Sequence, residues 1–446
     1  MQDNEIYTTG IAPGQQPGND GKKPQDKSGK FFWGGLFTGL IMSLLVVSSV
    51  YVVNRIQYAH KSGQTVGLHT REEESQENTD GATVTGEAVS DDTVAKMKVI
   101  ENVINTYFYK EDVDKDAMVD GIFKGMVESL GDPYSEYYSK EELESLYQDS
   151  LGVYYGVGAY VSLDTTTGLA KISGIIADSP AEDADLRAED IIYKVDDVDV
   201  TGMTLQETVS LIKGDENTTV KLTLIRDGKE IEKDVTRRKV ESPTVKFEML
   251  DDGMAYIQIT EFDTVTVDQF TEAMAMARGN DMKGLILDLR SNPGGNLSSV
   301  VSIAQQMLPK GLIVYTVDRD GNREEYSCDG SRELDVPMVV LVNGNSASAS
   351  EILAGAIKDY GIGTLVGTTT FGKGIVQRPI ELSDGSAVKL TISSYYTPNG
   401  ININGIGIEP DVECEFDSER YYSDEAYDNQ LEKAKEVLLQ KMEGTN

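Results

Sequence analysis

The chain has 446 residues, which is enough for roughly two to four domains. Its formal charge is -35, from 40 Lys and Arg against 75 Asp and Glu, and so acidic a surface repels phosphate backbones and excludes nucleic acid as a partner. Cys328 and Cys414 have no metal-ligand spacing and the chain has only two histidines, so we expect no metal and either two free thiols or one disulfide.

The N-terminal part predicts a membrane anchor. Residues 1–30 are rich in Gly, Pro, Gln, Asp and Lys, which indicates a disordered cytoplasmic tail. Residues 31–53 carry no charge and are long enough to cross about 30 Å of hydrocarbon as a transmembrane helix. A cleaved signal peptide is the alternative, but the preceding segment is too long and no A-x-A site follows. Because more basic residues precede the span than follow it, we expect a single-pass cell-membrane protein whose large remainder is extracytoplasmic.

The remainder predicts an α/β multidomain fold behind an acidic linker, residues 54–92. Residues 93–149 show apolar residues at helical spacing, with a capping box at Ser139-x-x-Glu142, and indicate a small helical domain. Residues 150–239 form short strands broken by turns, with one amphipathic helix near 204–214. Strands alternate with helices over residues 240–416, which favours a mainly parallel layered core, and residues 417–446 end in an amphipathic C-terminal helix that could serve assembly.

The stretch "NGNSASASEI" (343–352) places three serines between a strand-like and a helix-like run. Ser348 and Glu351 stand in the capping-box arrangement, so Ser348 could simply cap the helix. Alternatively, one of Ser346, Ser348 and Ser350 is a nucleophile, because a helix N-terminus offers free N–H groups and partial positive charge to an oxyanion.

A nucleophilic serine needs a base, and histidine is not available for it. His60 and His69 both lie in the linker before the globular part. In "FGKGIVQ", Lys373 stands between two glycines beside apolar residues, an environment in which desolvation lowers the pKa of an amine. Gln377 could accept a hydrogen bond from that amine and orient it without adding charge. The alternative is an ordinary solvated lysine in a loop.

The segment "DLRSNPGG" (288–295) ends a predicted strand with a glycine turn. It is either an ordinary loop or one half of an oxyanion hole. In the second case the N–H of Gly294 or Gly295 and the N–H of Ala349 would bind the same oxygen, and one such donor is typically worth about 3–4 kcal/mol of barrier.

Together these motifs resemble the carboxyl-terminal processing proteases, the tail-specific Ser-Lys peptidases. The resemblance covers about residues 95–416 and selects Ser348, because Lys373 follows it by the 25 residues typical of that family's dyad. It implies a protease core like the crotonase-type β-spiral and no metal or cofactor. It further implies a homodimer formed through the terminal helical regions.

The same resemblance implies that residues 150–239 are a PDZ domain, whose carboxylate-binding loop would hold protein or peptide substrates by their free C-termini through β-augmentation. The residues that would form this loop are Tyr155, Gly156, Val157 and Gly158. Asp185 and Glu189 depart from the family pattern, which has glycine at both positions, so we expect reshaped turns there.

The leading interpretation is a membrane-anchored serine endopeptidase with Ser348 as nucleophile, Lys373 as general base, and a PDZ domain that recognises C-termini or gates the site. A non-catalytic PDZ-bearing anchor that captures polypeptide ends is the first alternative, since Ser348 could merely cap its helix. An acyl-thioester enzyme is the second, because the crotonase-type core also supports that chemistry.

Overall fold

The computed structural model describes residues 88–110, 112–164, 167–423 and 426–444. The chain divides into two compact units, Met1–Val113 and Asp114–Asn446. In the first, the described residues form helix α1 (Asp91–Tyr107), in which no residue is buried. None of the helices in the described ranges is long and apolar enough to cross a bilayer, and the predicted span at 31–53 lies outside those ranges.

The second unit begins with helix α2 (Lys115–Glu128), strand β1 (Glu136–Tyr138) and helix α3 (Lys140–Leu151). The predicted capping box is confirmed: the Ser139 hydroxyl accepts from the Glu142 N–H, and the Glu142 carboxylate accepts from the Ser139 N–H. Such reciprocal bonds satisfy two N–H groups that a helix N-terminus otherwise leaves without partners.

Next comes the predicted β domain, built from short strands and two helices. Its elements are β2 (Val153–Gly156), β3 (Ala159–Leu163), β4 (Ala170–Ile175), α4 (Pro180–Asp183), β5 (Ile191–Val195), β6 (Val198–Asp199), α5 (Leu205–Ile212), β7 (Thr219–Arg226), β8 (Lys229–Thr236) and β9 (Arg238–Glu241). Five strands form a sheet in the order β3-β4-β5-β7-β8, β6 pairs with β5, and β2 pairs with β9. The sheet buries a separate apolar core that includes Ile172, Leu222 and Leu224. Helix α5 lies where the amphipathic pattern predicted it.

The α/β core follows. Its elements are β10 (Val245–Met249), the 3-10 turn Asp251–Gly253, β11 (Met254–Ile259), α6 (Thr264–Gly279), β12 (Gly284–Asp288), α7 (Leu297–Ala304), β13 (Gly311–Asp318), β14 (Arg323–Cys328), β15 (Met338–Val342), α8 (Ala349–Tyr360), β16 (Gly363–Gly367), β17 (Ile375–Glu381), β18 (Ala387–Tyr396), β19 (Val412–Glu413), α9 (Ser418–Tyr421) and α10 (Asn429–Met442). One sheet has the order β10-β11-β12-β15-β16-β19, and it is parallel from β11 onward. The predicted parallel layered core is therefore present.

This topology sets the position of the site. Parallel strands end at the same edge of a sheet, so the loops that follow neighbouring strands meet there. The glycine turn follows β12, the serine turn follows β15, and the lysine loop follows β16, and these three strands are neighbours. Motifs more than fifty residues apart in sequence are brought together in this way.

A second sheet connects the N-terminal segment to the core. Strand β18 pairs with β13 and β17, and β1 adds to it antiparallel, with Glu136 opposite Lys389. Residues 93–149 are therefore not purely helical, because the described part of that range includes β1, which belongs to the sheet of the protease core. Periodicity misses this strand because it has only three residues and its partner lies 250 residues away.

Helix α10 packs on the parallel sheet. Its buried residues Ala434, Val437 and Leu438 contact a cluster that includes Ile286 and Val339. This helix therefore buries one apolar face within its own chain, and its role in assembly stays a prediction. The two cysteines are free thiols, with Cys328 buried and Cys414 half-buried.

Candidate active site

The predicted residues line one cavity of about 390 Å³ at the carboxyl edge of the parallel sheet. Those of its lining residues that the sequence singled out are Gly295, Ser348, Ala349, Lys373 and Gln377. Carboxylates also line it, at Asp149, Glu261 and Asp263. Burial, together with its carboxylate neighbours Glu261 and Asp149, raises the pKa of Asp263 to about 7.

Ser348 occupies a strained turn at the start of α8. Its φ of 53° lies in the left-handed region, which non-glycine residues adopt at a cost of about 1–3 kcal/mol. Its hydroxyl makes no hydrogen bond that caps the helix, and the side chain remains partly exposed. The backbone N–H of Ser348 instead donates to Glu351 Oε2 at 2.9 Å. The cap position therefore leaves the hydroxyl available to the cavity.

The two flanking serines have a structural role. Ser346 and Ser350 are fully buried. The Ser346 hydroxyl donates to the Leu289 carbonyl at 2.8 Å, and the Ser350 hydroxyl donates to the Asn292 carbonyl at 2.9 Å. These hydrogen bonds join the serine turn to the glycine turn, so Ser346 and Ser350 have a structural role that Ser348 does not share.

The glycine turn places its backbone directly against the serine turn. A Cβ at Gly294 would lie 2.8 Å from Ser348 Cβ and 3.0 Å from the Ala349 nitrogen. The Gly294 N–H already donates to Asn292 Oδ1 at 2.8 Å. The N–H groups of Gly295 and Ala349 have no hydrogen-bond partner among the described residues. Of the two predicted glycines, Gly295 is therefore the one with a donor to offer an oxyanion.

Lys373 is held close to other backbone, as its two glycines predicted. A Cβ at Gly374 would lie 2.6 Å from the Asn404 nitrogen, and one at Gly372 would lie 2.9 Å from the Gly407 nitrogen. Burial lowers the pKa of Lys373 from 10.5, the positive charge of Lys389 lowers it further, and the carboxylates of Asp132 and Glu351 oppose this. The burial therefore favours the neutral amine that a general base needs.

The lysine amine rests on an aromatic ring in this structure. Lys373 Nζ lies 4.6 Å from the centre of the Tyr134 ring. No hydrogen bond joins Lys373 Nζ to Ser348 Oγ or to Gln377 in the described part of the chain. The Gln377 amide donates instead to Thr391 Oγ1 at 3.2 Å. Ser348, Lys373 and Gln377 therefore share the cavity without a hydrogen bond from the amine to either of the other two side chains in the described part of the chain.

Sequence reasoning missed three groups at this site. Tyr134 contacts Lys373, the Tyr395 hydroxyl contacts the backbone carbonyls of Ser348 and Lys373, and Glu351 binds more groups than a capping box requires. The S-x-x-E spacing did point to Glu351, but only as a cap. Nothing in the local patterns around Tyr134 or Tyr395 indicates the site, because both reach it through strand pairing.

The predicted carboxylate-binding loop connects β2 to β3, an edge strand whose partner within the described residues is β4. Val157 is buried, Gly158 has a φ of 82°, and neither N–H has a hydrogen-bond partner in the described ranges. An edge strand next to free N–H groups is the arrangement that β-augmentation uses. Tyr155 and Gly156 form the end of β2 and pair with β9.

The two departures from the family pattern do not reshape their turns. Asp185 and Glu189 have φ of 54° and 74°, the left-handed conformation that glycine adopts most easily. Asp185 is held by ion pairs to Arg187, Arg226 and Lys233. The chain thus keeps the backbone course there and stabilises it with side-chain contacts.

Within the described residues, no group of three or more His, Cys, Asp and Glu side chains could hold a metal ion.

Comparison with known proteins identifies the domains. Residues 253–414 match the model of peptidase family S41, and residues 171–226 match a PDZ domain. Residues 44–142 match the N-terminal domain of the activating protease CtpB.

The relatives decide the family. The carboxy-terminal processing protease CtpA of Bacillus subtilis (strain 168) is 39% identical over 320 residues, which cover 71% of this chain and 68% of that protein. The chain belongs to the carboxyl-terminal processing proteases. A carboxyl-terminal-processing protease of Synechocystis sp. is 37% identical over 292 residues, covering 64% of this chain and 68% of that protein. Among solved structures, the photosystem II D1 C-terminal processing protease is 31% identical and covers 73% of this chain and 94% of its own, with a TM-score of 0.44.

Membership in this family makes the protein a serine-type carboxyl-terminal processing peptidase with a PDZ domain and an S41 core. The recognition made from the motifs is confirmed. The acyl-thioester enzyme and the non-catalytic anchor are both set aside, since relatives that are named as proteases cover most of the chain.

Proposed function

We propose that the protein is a membrane-anchored endopeptidase in which Ser348 is the nucleophile and Lys373 is the general base. The single observation that carries this proposal is the Ser348 hydroxyl, uncommitted at a strained helix start and lining the same cavity as a desolvated lysine. A neutral lysine paired with serine is a known variant of triad chemistry.

The reaction proceeds through an acyl-enzyme. As Ser348 Oγ attacks the scissile carbonyl carbon, its proton passes to the neutral Lys373 Nζ. The carbonyl oxygen becomes an oxyanion and accepts hydrogen bonds from the Ala349 and Gly295 N–H groups. The Lys373 ammonium then gives its proton to the leaving amine as the C–N bond breaks. In the second half, Lys373 takes a proton from the water that attacks the ester carbonyl. As the C–O bond to Ser348 breaks, the Lys373 ammonium returns that proton to Ser348 Oγ, so both residues regain their starting forms.

Substrates are proposed to be proteins or peptides with free C-termini. The loop from Tyr155 to Gly158 would hold the terminal carboxylate, and the peptide would add as a strand along the free edge of β3. The unpartnered N–H groups of Val157 and Gly158 support this role.

The chain is proposed to be anchored by residues 31–53, with the catalytic portion outside the cytoplasm. The support is the uncharged length of that segment and the excess of basic residues before it. Proteolytic shaving of intact cells tests this placement: the catalytic portion should be removed, whereas an intracellular control protein should survive.

A homodimer through the N-terminal helices is also proposed. Helix α1 buries none of its residues, and its exposed apolar side chains include Val99, Ile100 and Val103. A row of apolar side chains on a helix favours burial against another apolar face. Ile100→Asp should give a monomer in sedimentation velocity, and an unchanged mass would contradict this.

The catalytic proposal is tested with peptides that have free or amidated C-termini. Ser348→Ala and Lys373→Ala should each lower kcat by at least about 10³-fold. Ser302→Ala and Lys358→Ala remove matched residues away from the cavity and should leave activity unchanged. Amidation should raise KM because it removes the carboxylate that the PDZ loop binds. Cleavage by folded Ser348→Ala at the wild-type rate would contradict the proposed nucleophile.

A further inference from the structure

The two proposed dyad residues lie on separate loops, and two side chains outside the dyad bind both of them. Glu351 is fully buried on the first turn of α8, beneath the cavity. Tyr395 is also buried, near the end of β18. Neither residue has a place in the chemistry outlined above.

The Glu351 carboxylate accepts four hydrogen bonds. Its Oε2 accepts from the Ser348 N–H at 2.9 Å and from the Lys373 N–H at 2.9 Å. Its Oε1 accepts from the Gly372 N–H at 2.7 Å and from the Thr370 hydroxyl at 2.6 Å. One oxygen atom therefore joins the backbone of the nucleophile to the backbone of the base.

The Tyr395 hydroxyl makes the complementary contacts on the carbonyl side. Its Oη lies 3.1 Å from the Ser348 carbonyl oxygen and is also within hydrogen-bond distance of the Lys373 carbonyl oxygen. A hydroxyl has one proton, so it can donate to one of the two carbonyls at a time. Glu351 thus holds the N–H groups of both proposed dyad residues, and Tyr395 contacts both of their carbonyls while donating to one of them.

We propose that Glu351 and Tyr395 are positioning residues that form a clamp, which fixes the serine turn against the lysine loop. The proposal rests on the Ser348–Lys373 dyad proposed above. A capping glutamate requires only the Ser348 N–H. The three further donors, from residues 370–373, show that the carboxylate also binds the lysine loop, which is not part of the helix cap.

The charge and size of Glu351 both follow from this arrangement. Four donors converge on two acceptor oxygens, and only a carboxylate presents two acceptors without a donor. In Glu351→Gln, the amide NH₂ must face either Thr370 and Gly372 or Ser348 and Lys373. With the NH₂ towards Ser348 and Lys373, two hydrogen bonds become donor–donor contacts; with the NH₂ towards Thr370 and Gly372, the Gly372 contact does, because the Thr370 hydroxyl can turn to accept. Neither orientation changes the volume of the side chain.

The experiment compares Glu351→Gln and Tyr395→Phe in the full chain. Tyr360→Phe is the matched control, because Tyr360 lies at the far end of α8, the helix that also contains Glu351. Its hydroxyl donates to the carbonyl of Leu312 on β13 at 2.8 Å, and it does not line the cavity. Displacement of the reacting groups by about 1 Å can cost about 10²-fold, so we expect this loss in kcat for Glu351→Gln, a smaller loss of about tenfold for Tyr395→Phe, and KM nearly unchanged. Tyr360→Phe should keep its kcat.

A second readout does not need activity. Hydrogen exchange in Glu351→Gln should be faster at the amides that the new NH₂ group faces, either Gly372 or the pair Ser348 and Lys373, since those amides lose their acceptor. Folded variants with wild-type exchange at these amides would overturn the clamp even if the dyad is correct. An active Ser348→Ala would instead refute the dyad, and the exchange data would still decide the clamp. If Glu351→Gln fails to fold, Tyr395→Phe decides the outcome by kcat and by exchange in the lysine loop.

The pH profile separates positioning of the dyad from general weakening of the fold. Charged groups near the Lys373 amine are Lys389 on β18, Asp132 before β1 and Glu351 on α8, and the cavity also contains Asp149, Glu261 and Asp263. Glu351 raises the pKa of Lys373, so its neutralisation should move the rise of kcat/KM to lower pH. Tyr395→Phe removes no charge and should leave the position of that rise unchanged. If Glu351→Gln lowers kcat but leaves the pH at which kcat/KM rises unchanged, Glu351 does not act on the Lys373 amine, which would count against this part of the clamp proposal.

Discussion

Gly294→Ala is the sharpest test of the oxyanion geometry. The new Cβ would lie 2.8 Å from Ser348 Cβ, 2.9 Å from the Ala347 carbonyl oxygen and 3.0 Å from the Ala349 nitrogen. These approaches are closer than van der Waals contact, and Gly294 has a φ of 112°, which L-residues rarely adopt. The methyl group would therefore push the glycine turn away from the serine turn.

The expected magnitude has two parts. A non-glycine residue in a sparsely populated backbone region costs about 1–3 kcal/mol, so the free energy of unfolding should fall by that amount. Loss of one oxyanion donor costs about 10²–10³-fold in kcat, and separation of the Ala349 and Gly295 donors has the same effect. We therefore expect kcat to fall by at least about 10²-fold, while KM changes little.

The assay is steady-state cleavage of a peptide with a free C-terminus, with thermal unfolding measured on the same samples. Gly321→Ala is the matched control, because Gly321 also has a positive φ of 82° but no atom within 4 Å of its Cβ position. This control should lose stability and keep activity. Gly294→Ala with more than a tenth of wild-type kcat would refute the assignment of this turn to the oxyanion hole.

Three other substitutions test the electrostatics and the strained turns. Lys389→Met removes the positive charge that lowers the pKa of Lys373, so the rise of kcat/KM should move to higher pH in a pH–rate profile. Asp263→Asn places another residue type favoured at the N-cap position and removes a carboxyl whose pKa is raised to about 7. Burial opposes the charged form, so the stability that the variant gains over wild type should grow by about 2 kcal/mol from pH 5 to pH 8 in urea unfolding. Glu189→Gly relieves a left-handed glutamate and should raise the unfolding free energy by about 0.5–1 kcal/mol, which a fall in melting temperature would contradict.

The layered core and the location of its site could be predicted from sequence. Strand-like runs precede the glycine turn, the serine turn and the lysine loop, and parallel strands bring such loops to one edge. The hydrophobic periodicity predicts the strands and helices, and the rule that parallel strands end at one edge of a sheet then predicts where the site lies. The framing of Lys373 by glycines was predictable for the same reason, since a residue without Cβ signals close backbone approach.

The contacts around the lysine could not be predicted. Tyr134 reaches Lys373 because β1 pairs with β18, a pairing between segments about 250 residues apart. Three-residue strands give no periodic signal, so residues 93–149 appeared purely helical. The expectation of reshaped turns at Asp185 and Glu189 is wrong for a different reason. Aspartate tolerates the left-handed region, and ion pairs stabilise Asp185 in it.

Ser348 can be the N-cap residue of its helix and the proposed nucleophile at the same time. A serine cap normally commits its hydroxyl to an N–H in the first turn of the helix. Here the Glu351 carboxylate accepts from the Ser348 N–H, and among the described residues no hydrogen bond joins a helix N–H group to the Ser348 hydroxyl. The N-cap position and the nucleophile are therefore compatible, because the helix receives its cap from the other member of the capping box. The Glu351 carboxylate binds the backbone of the strained Ser348 turn. Removal of the carboxylate should therefore lower kcat more than it lowers the stability of the helix.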